Sequence, residues 1–181
     1  MWKPRPAPFS IAASAARCGP KPMARRLTHI DRRGNARMVD ISAKAPNLRS
    51  ATAKASVIVS AEALAIIRKG KAKKGDVLGV AQLAGIMAAK RTPDLIPLCH
   101  PLELSKVEVT LTIDARRCAV DVTATCTVTG RTGVEMEALT AVSVAALTVY
   151  DMMKSVDRGM RITDIRLARK SGGKSGLFTA D

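Results

Sequence analysis

The chain has 181 residues, 47% of them hydrophobic, and a formal net charge of +15. That length and apolar content support one domain with a substantial core and exclude an intrinsically disordered chain. The basic excess attracts anions, but aromatics make up only 2% of the sequence, which argues against single-strand binding by base stacking.

Cys18, Cys99, Cys118 and Cys126 form no CxxC pair, and His29 and His100 are the only histidines. No zinc set with recognised spacing can be assembled from them, so reduced thiols and no metal are expected. No zinc-finger or other nucleic-acid motif appears either.

Along the chain, residues 1–26 carry six Lys and Arg and no acid. They read as a disordered basic extension, ahead of a single domain spanning 27–181. An upstream start with the functional one at Met23, or an organelle transit peptide, competes with that reading. Pro4, Pro6 and Pro8 oppose the amphipathic helix that a transit peptide requires. Residues 27–44 read as a loop with extended pieces, and Ser56 to Val59 as a short β-branched strand. Ser60 is placed to cap a helix in which Ala63, Leu64, Ile66 and Ile67 fall at helical spacing. The basic run RKGKAKKGD, broken by Gly70 and Gly75, ends it.

Asp76 caps a second predicted helix, with Val77, Val80, Ala81, Ala84 and Met87 at helical spacing. Pro93 stops it, and Pro97 and Pro101 keep the next segment extended. From Ser105 to Gly130 the period changes to two. Val107, Val109, Leu111 and Ile113 alternate with polar residues, as do Val120, Val122, Ala124, Cys126 and Val128. This predicts a β-hairpin turning at Asp114 to Arg117 with one face buried. A long apolar helix follows, from about Gly133 to Asp157. Its apolar run, Ala138 to Tyr150, is shorter than the roughly 20 residues that cross a bilayer. Met160 to Arg169 reads as a last strand, and SGGKSG as a flexible loop. Helices with a mainly antiparallel sheet make an α+β domain.

The long helix carries Glu135, Glu137, Asp151 and Lys154 on an otherwise apolar surface. Charges in such a setting are either paired structurally or chemical. Asp151 and Lys154, three apart, can meet. Glu137 and Asp151 are separated by about 40° in azimuth and about 21 Å along the axis, so one small site in one subunit cannot hold both. Two readings stand: an ion pair with solvated or capping glutamates, or a site shared between subunits. His100, held between Pro97 and Pro101, is either structural or a proton donor, acceptor or phosphate ligand. Its neighbour Cys99 does not make a nucleophile pair with it, because adjacent side chains diverge. The KSGGKSG segment lacks the first glycine of a Walker loop, where Ala168 stands. A glycine–lysine loop can still fold over an anion, and Lys73 and Lys74 offer a second phosphate contact. Solvated charge is the plain alternative for each lysine cluster.

Several segments together resemble the cyclic pyranopterin monophosphate synthase family, accessory protein C of molybdenum cofactor biosynthesis. They are LTHID with MVDIS at 38–42, KKGDV at 73–77, AAKRTPDLIPLCHPL, TGVEMEAL, YDMMK and KSGGKSG. The resemblance runs from about Leu27 to Phe178. It implies a lyase that rearranges a cyclised guanosine triphosphate into a cyclic pyranopterin monophosphate and releases pyrophosphate, with neither metal nor cofactor in this step. It also implies a ferredoxin-like fold and a homohexamer of three dimers with active sites at the dimer interface. A functional coupling to the upstream radical enzyme, no nucleic acid or membrane partner, and a cytoplasmic location follow; a mitochondrial one applies if the extension is a transit peptide.

On the matching positions the resemblance puts catalysis at Asp151, Lys154 and Lys74. Substrate contacts fall on Leu98, Cys99, His100, Glu135, Met136, Glu137, Lys170 and Lys174, the last two as lysines of the C-terminal loop. Two other classes compete with the enzyme. A nucleic-acid-binding protein would show salt-dependent affinity and no need for Asp151. A non-catalytic scaffold would assemble without turnover.

Overall fold

The computed structural model describes residues 33–70 and 72–180. The basic extension, its boundary with the domain and the LTHID segment lie outside the described residues. Among the described residues, five strands and four helices follow one another: β1 (Asn47–Ile58), α1 (Ala61–Arg68), α2 (Val77–Lys90), α3 (Thr92–Leu95), β2 (Lys106–Asp114), β3 (Ala119–Gly130), α4 (Glu135–Met153), β4 (Arg161–Ser171) and β5 (Phe178–Thr179). The strands form one antiparallel sheet in the order β2-β3-β1-β4-β5.

Strand β1 is three times longer than the Ser56 to Val59 strand read from the sequence, because its buried face is made of alanine. Ala51, Ala53, Ala55 and Val57 point into the core, opposite Cys126, Ala124, Val122 and Val120 of β3. Alanine carries little strand propensity, so β branching marked only the end of the strand. The small side chains let α4 lie close on the sheet. Ala138, Ala141, Val142, Ala145, Ala146 and Val149 of α4 are wholly buried. Beside it on the same face of the sheet, α2 packs against α4 and against β2.

Both helix caps read from the sequence are present. Ser60 Oγ accepts from the Ala63 amide at 3.2 Å, and Asp76 Oδ1 accepts from the Leu78 and Gly79 amides at 3.1 Å. The buried face of α2 differs from the predicted one. Val77, Ala81, Gly85, Ala88 and Ala89 are buried, whereas Val80, Leu83 and Met87 are exposed. Close approach of two helices selects the small residues rather than the large ones. A Cβ placed on Gly85 would stand 3.0 Å from the Ala141 carbonyl oxygen and 3.3 Å from the Ala145 Cβ. Gly85→Val therefore forces the two helices apart, at an expected cost of about 1–3 kcal/mol. Thermal unfolding of the variant should show a correspondingly lower midpoint.

Other boundaries also move. Pro93 does not simply end the second helix: α2 closes at Lys90, and Pro93 opens the one-turn α3, where its missing amide is harmless. The long helix ends at Met153, four residues before its predicted limit. By length and composition α4 could cross a membrane, contrary to the reading of its apolar run. It is nevertheless the core helix of this domain, buried against β1 and β3. The last strand continues to Ser171, so Lys170 belongs to β4 and only Lys174 to the following turn. Within β4 the apolar Ile165 is exposed, because the β1–β4 register shifts on either side of the Ala53–Lys54 stretch and breaks the alternation.

Candidate active site

Helix α4 carries a chemical group at each end. At its C-terminal end, Asp151 stands between two lysines. Lys74 Nζ is 2.7 Å from Asp151 Oδ2 and donates also to the Asp151 carbonyl oxygen at 2.9 Å. Lys154 Nζ is 2.7 Å from Oδ1. The pair read from helical spacing is thus a triad, completed by the loop that leads into α2. Hydrogen bonds from Lys154 and then Lys74 pull the Asp151 carboxyl down to about 2. The same contact holds the Lys154 ammonium above its ordinary value. All three side chains are about half exposed, so solvent and salt moderate the attraction. At neutral pH the triad is one carboxylate and two ammonium groups. It presents a net positive charge to solvent and can receive an anion.

At the N-terminal end lies a cavity of about 270 Å³. Leu98, Cys99 and His100 come from the loop after α3, and Glu135, Met136 and Glu137 from the first turn of α4. His100 Nε2 lies 2.9 Å from the Val39 carbonyl oxygen, and that bond fixes the ring against the 38–42 segment. Glu137 is buried, 3% exposed, which removes the solvated-glutamate reading for it. Burial raises its carboxyl, with a smaller contribution from the nearby Glu135 charge. Burial likewise raises the Cys99 thiol, so a thiolate nucleophile is disfavoured there.

Glu135 turns back over Gly133. A Cβ at Gly133 would collide with its carboxylate, so glycine makes room for it. Lys170 Nζ reaches Glu135 Oε1 at 3.4 Å and contacts Ser175 Oγ, tying β4 and the glycine turn to the cavity mouth. Lys174 is exposed in that turn and reaches no carboxylate within ion-pair distance among the described residues. Gly172 has φ +88°, and any side chain there would strike the Leu48 carbonyl oxygen. The turn is thereby built for glycine rather than merely tolerant of it.

Within one chain the structure gathers the predicted residues into two groups. Asp151, Lys154 and Lys74 form one; Leu98, Cys99, His100, Glu135, Met136, Glu137 and Lys170 form the other. The groups are separated by about 21 Å of helix. Sequence reasoning missed Val39, Ile41, Lys44, Leu102, Thr132 and Gly133, which also line the cavity. Arg49 was missed as well. Its Nε donates to the Gly130 carbonyl oxygen at 2.9 Å, and its guanidinium lies against Gly173. The MVDIS segment contained a signal for Val39 and Ile41, but nothing in it indicated that they face a cavity.

Because the burial of Glu137 raises its carboxyl, the folded chain holds that proton more tightly than the unfolded one. Stability from this group is present at low pH and declines as pH rises from the ordinary glutamate range through the raised value. Glu137→Gln, which cannot ionise, should melt higher than the parent at pH 8. The difference should shrink toward pH 4, and thermal melts across that range would measure it.

Residues 38–173 match the MoaC family. The chain is 66% identical over 155 residues to the cyclic pyranopterin monophosphate synthase of Rhodospirillum rubrum, covering 85% of this chain and 93% of the relative. It is 63% identical over 155 residues to the protein of that name from a Methylobacterium species, covering 86% and 97%. Identity to the Parvibaculum lavamentivorans protein of the same name is 61% over 157 residues, covering 87% and 98%.

Proposed function

The chain belongs to the MoaC family, and from that premise we propose that it is a cyclic pyranopterin monophosphate synthase. It converts (8S)-3′,8-cyclo-7,8-dihydroguanosine 5′-triphosphate to cyclic pyranopterin monophosphate and pyrophosphate, in molybdenum cofactor biosynthesis. The observation that carries this reading is the carboxylate held between two ammonium groups at one end of α4. Opposite it in character is the half-enclosed cavity with His100 and the buried Glu137 at the other end. Together they supply what a multi-step rearrangement of a polyphosphate requires: anion-binding cations, and acids and bases in different protonation states.

In this mechanism Asp151 is ionised throughout the physiological range and orients both lysines. As the five-membered ring of the purine opens, Lys154 and Lys74 give protons to the departing nitrogens, and Asp151 relays protons back to the lysines when the new ring closes. His100, Lys170 and Lys174 hold the triphosphate. A sugar hydroxyl oxygen then attacks the α-phosphorus; the new P–O bond closes the cyclic phosphate as the bond to the β-phosphate oxygen breaks and pyrophosphate leaves. Leu98, Cys99 and Met136 provide the walls against which the pterin settles, and Glu135 and Glu137 bind its donor groups.

The separation of the two groups is resolved by assembly. The midpoint between residues 137 and 151 is Val144, and near it Leu147 is 57% exposed although most of the helix is buried. An antiparallel pairing of α4 with its copy, about a two-fold axis near Val144, sets Glu137 beside the partner's Asp151. That arrangement agrees with a homohexamer of three dimers bearing interfacial sites. The split order β2-β3-β1-β4, with helices between β1 and β2 and between β3 and β4, supports a ferredoxin-like fold. Bacterial relatives that extend over nearly the whole domain support a cytoplasmic enzyme working downstream of the radical enzyme that makes its substrate.

The test is direct. Purified protein is mixed with cyclised guanosine triphosphate made freshly by that radical enzyme; product is read by mass, and pyrophosphate by a coupled assay. Product formation supports the reading. An assembled, folded protein that makes none would leave the scaffold reading in its place.

A further inference from the structure

The sheet has two faces, and among the described residues the helices cover only one of them. On the uncovered face the charged side chains are arranged unevenly. Lys106 pairs with Glu108 at 2.6 Å, and Arg117 pairs with Asp114 at 2.7 Å and also with Asp121. Lys54 and Arg166 have no such partner: neither makes an ion pair with a carboxylate among the described residues, although they stand directly opposite each other in the β1–β4 register. Like charges facing across an antiparallel pair are destabilising, so this pairing has a cost that the rest of the face avoids.

The backbone around that pair is also unusual. The β1–β4 register shifts between Thr52 and Ala53 and again between Lys54 and Ser56, so β4 carries an extra residue on each side of the Lys54–Arg166 pair. Asp164, in the second irregularity, has φ +55°, a left-handed conformation that aspartate adopts only at some cost. Bulges of this kind re-aim side chains and gather near binding sites.

Between these residues the face is hollow, with a cavity of about 460 Å³ lined by Lys54, Ser56, Arg117, Thr123, Asp164 and Arg166, among others. Thr123 is the β3 neighbour of Lys54. The buried Ser56 donates to Asp121 at 2.6 Å, and that carboxylate is further engaged by Arg117. Asp121 is therefore already satisfied. Asp164 is exposed at the bulge, and its backbone carbonyl accepts from Arg166 Nη1 at 3.3 Å. Three cations thus face two carboxylates, one of them already committed, with threonine hydroxyls completing the lining.

The geometry points to a second anion site on the open face of the sheet, built on Lys54 and Arg166, that takes a small phosphate-bearing anion of the pyrophosphate class. Two unpaired cations across a hydroxyl-lined hollow match the charge and the acceptor oxygens of such a ligand. Binding removes the repulsion between the cations, so the site and the stability of β4 are linked. Since β4 ends in Lys170 at the mouth of the other cavity, occupancy steadies the strand that carries this lysine. The site does not depend on the proposed catalytic activity and is tested separately from it.

The probe is inorganic pyrophosphate, titrated calorimetrically into the full-length protein at low salt. The parent is expected to bind more than one equivalent per chain, one of them at the lysines around α4. Lys54→Gln/Arg166→Gln should lose one equivalent, or weaken it at least tenfold, while turnover at saturating substrate is unchanged. Without added anion the double variant should melt no lower than the parent, because a repulsion has been removed. A second variant, Thr123→Glu, places a carboxylate beside Lys54, on the β3 side of the hollow, and should lose the same equivalent. Unchanged stoichiometry and affinity in both variants would overturn the proposal. So would a loss of pyrophosphate binding only in Lys74→Ala, which would leave the reaction centre as the sole site.

Discussion

Asp151→Asn is expected to lower turnover by about 10²–10⁴-fold, the range by which positioned acid–base groups accelerate proton transfer. Asparagine keeps the shape of the side chain and its hydrogen-bonding reach but loses the charge. Lys74 and Lys154, each 2.7 Å from one carboxylate oxygen, would then share a neutral amide and repel one another. Their attraction for a triphosphate would not diminish, so KM should stay level or fall while kcat collapses. A merely structural counterion would behave differently: the variant would lose stability and assembly together with activity. Melting temperature and subunit assembly, measured beside kcat and KM, separate the two. Near-parental kcat would remove Asp151 from the chemistry. The pH profile gives a second check. The pairing that pulls Asp151 down to about 2 is lost only as pH falls through that value, having been complete above the ordinary aspartate range. Any acid limb of activity between pH 4 and 7 therefore reports another group. Glu137, whose carboxyl is raised by burial, is the one to substitute next.

The sequence disclosed the elements whose patterns come from large side chains or specific caps. The β2–β3 hairpin alternates valine, leucine and isoleucine with threonine, and α1 and α2 begin at Ser60 and Asp76 as their side chains require. What it concealed was built from small residues. The buried positions of β1 before Ser56 are alanines, and the buried stripe of α2 is largely alanine and glycine, residues whose value lies in permitting close approach rather than in local preference. Such positions are defined by what packs against them, and that information is distant in the chain. The same holds for the site. Asp151 and Lys154 were legible as a pair because one helical turn joins them. Lys74, 77 residues away, joins them only through the packing of α2 on α4. Arg49 is a strand residue whose role arises solely from the return of β4 and its glycine turn across the start of β1. His100 lies near Glu137 for a similar reason: the loop after α3 is folded back against the first turn of α4. The family motifs point to candidate residues without indicating which of them share one subunit.

Mixing two inactive variants should restore activity, and this outcome decides where the site is. Within one subunit His100 and Glu137 lie at one end of α4 and Asp151 at the other, about 21 Å apart along the helix. If each site takes its cavity from one protomer and its Asp151 triad from the partner, a dimer of one His100→Ala chain and one Asp151→Asn chain contains two unlike sites. One has both defects, and the other has neither. Random re-association of equal amounts makes half the dimers mixed, each with one intact site of two, so about a quarter of parental activity should return. Two variants at the same end of the helix, such as His100→Ala with Glu137→Ala, should not complement, because every site then carries a defect in its cavity. Activity after unfolding and refolding the mixtures together, compared with the variants refolded apart, provides the measurement. Recovery in the first mixture and none in the second requires an interfacial site. Absence of recovery in both would require Asp151 to act within its own subunit, and a substrate or a conformational change long enough to join the two ends of α4. The half-exposed triad makes the interfacial outcome the expected one: a carboxylate and two ammonium groups left at a solvent surface lack the enclosure that acid–base chemistry needs, and in the proposed assembly the cavity of a partner subunit would supply it.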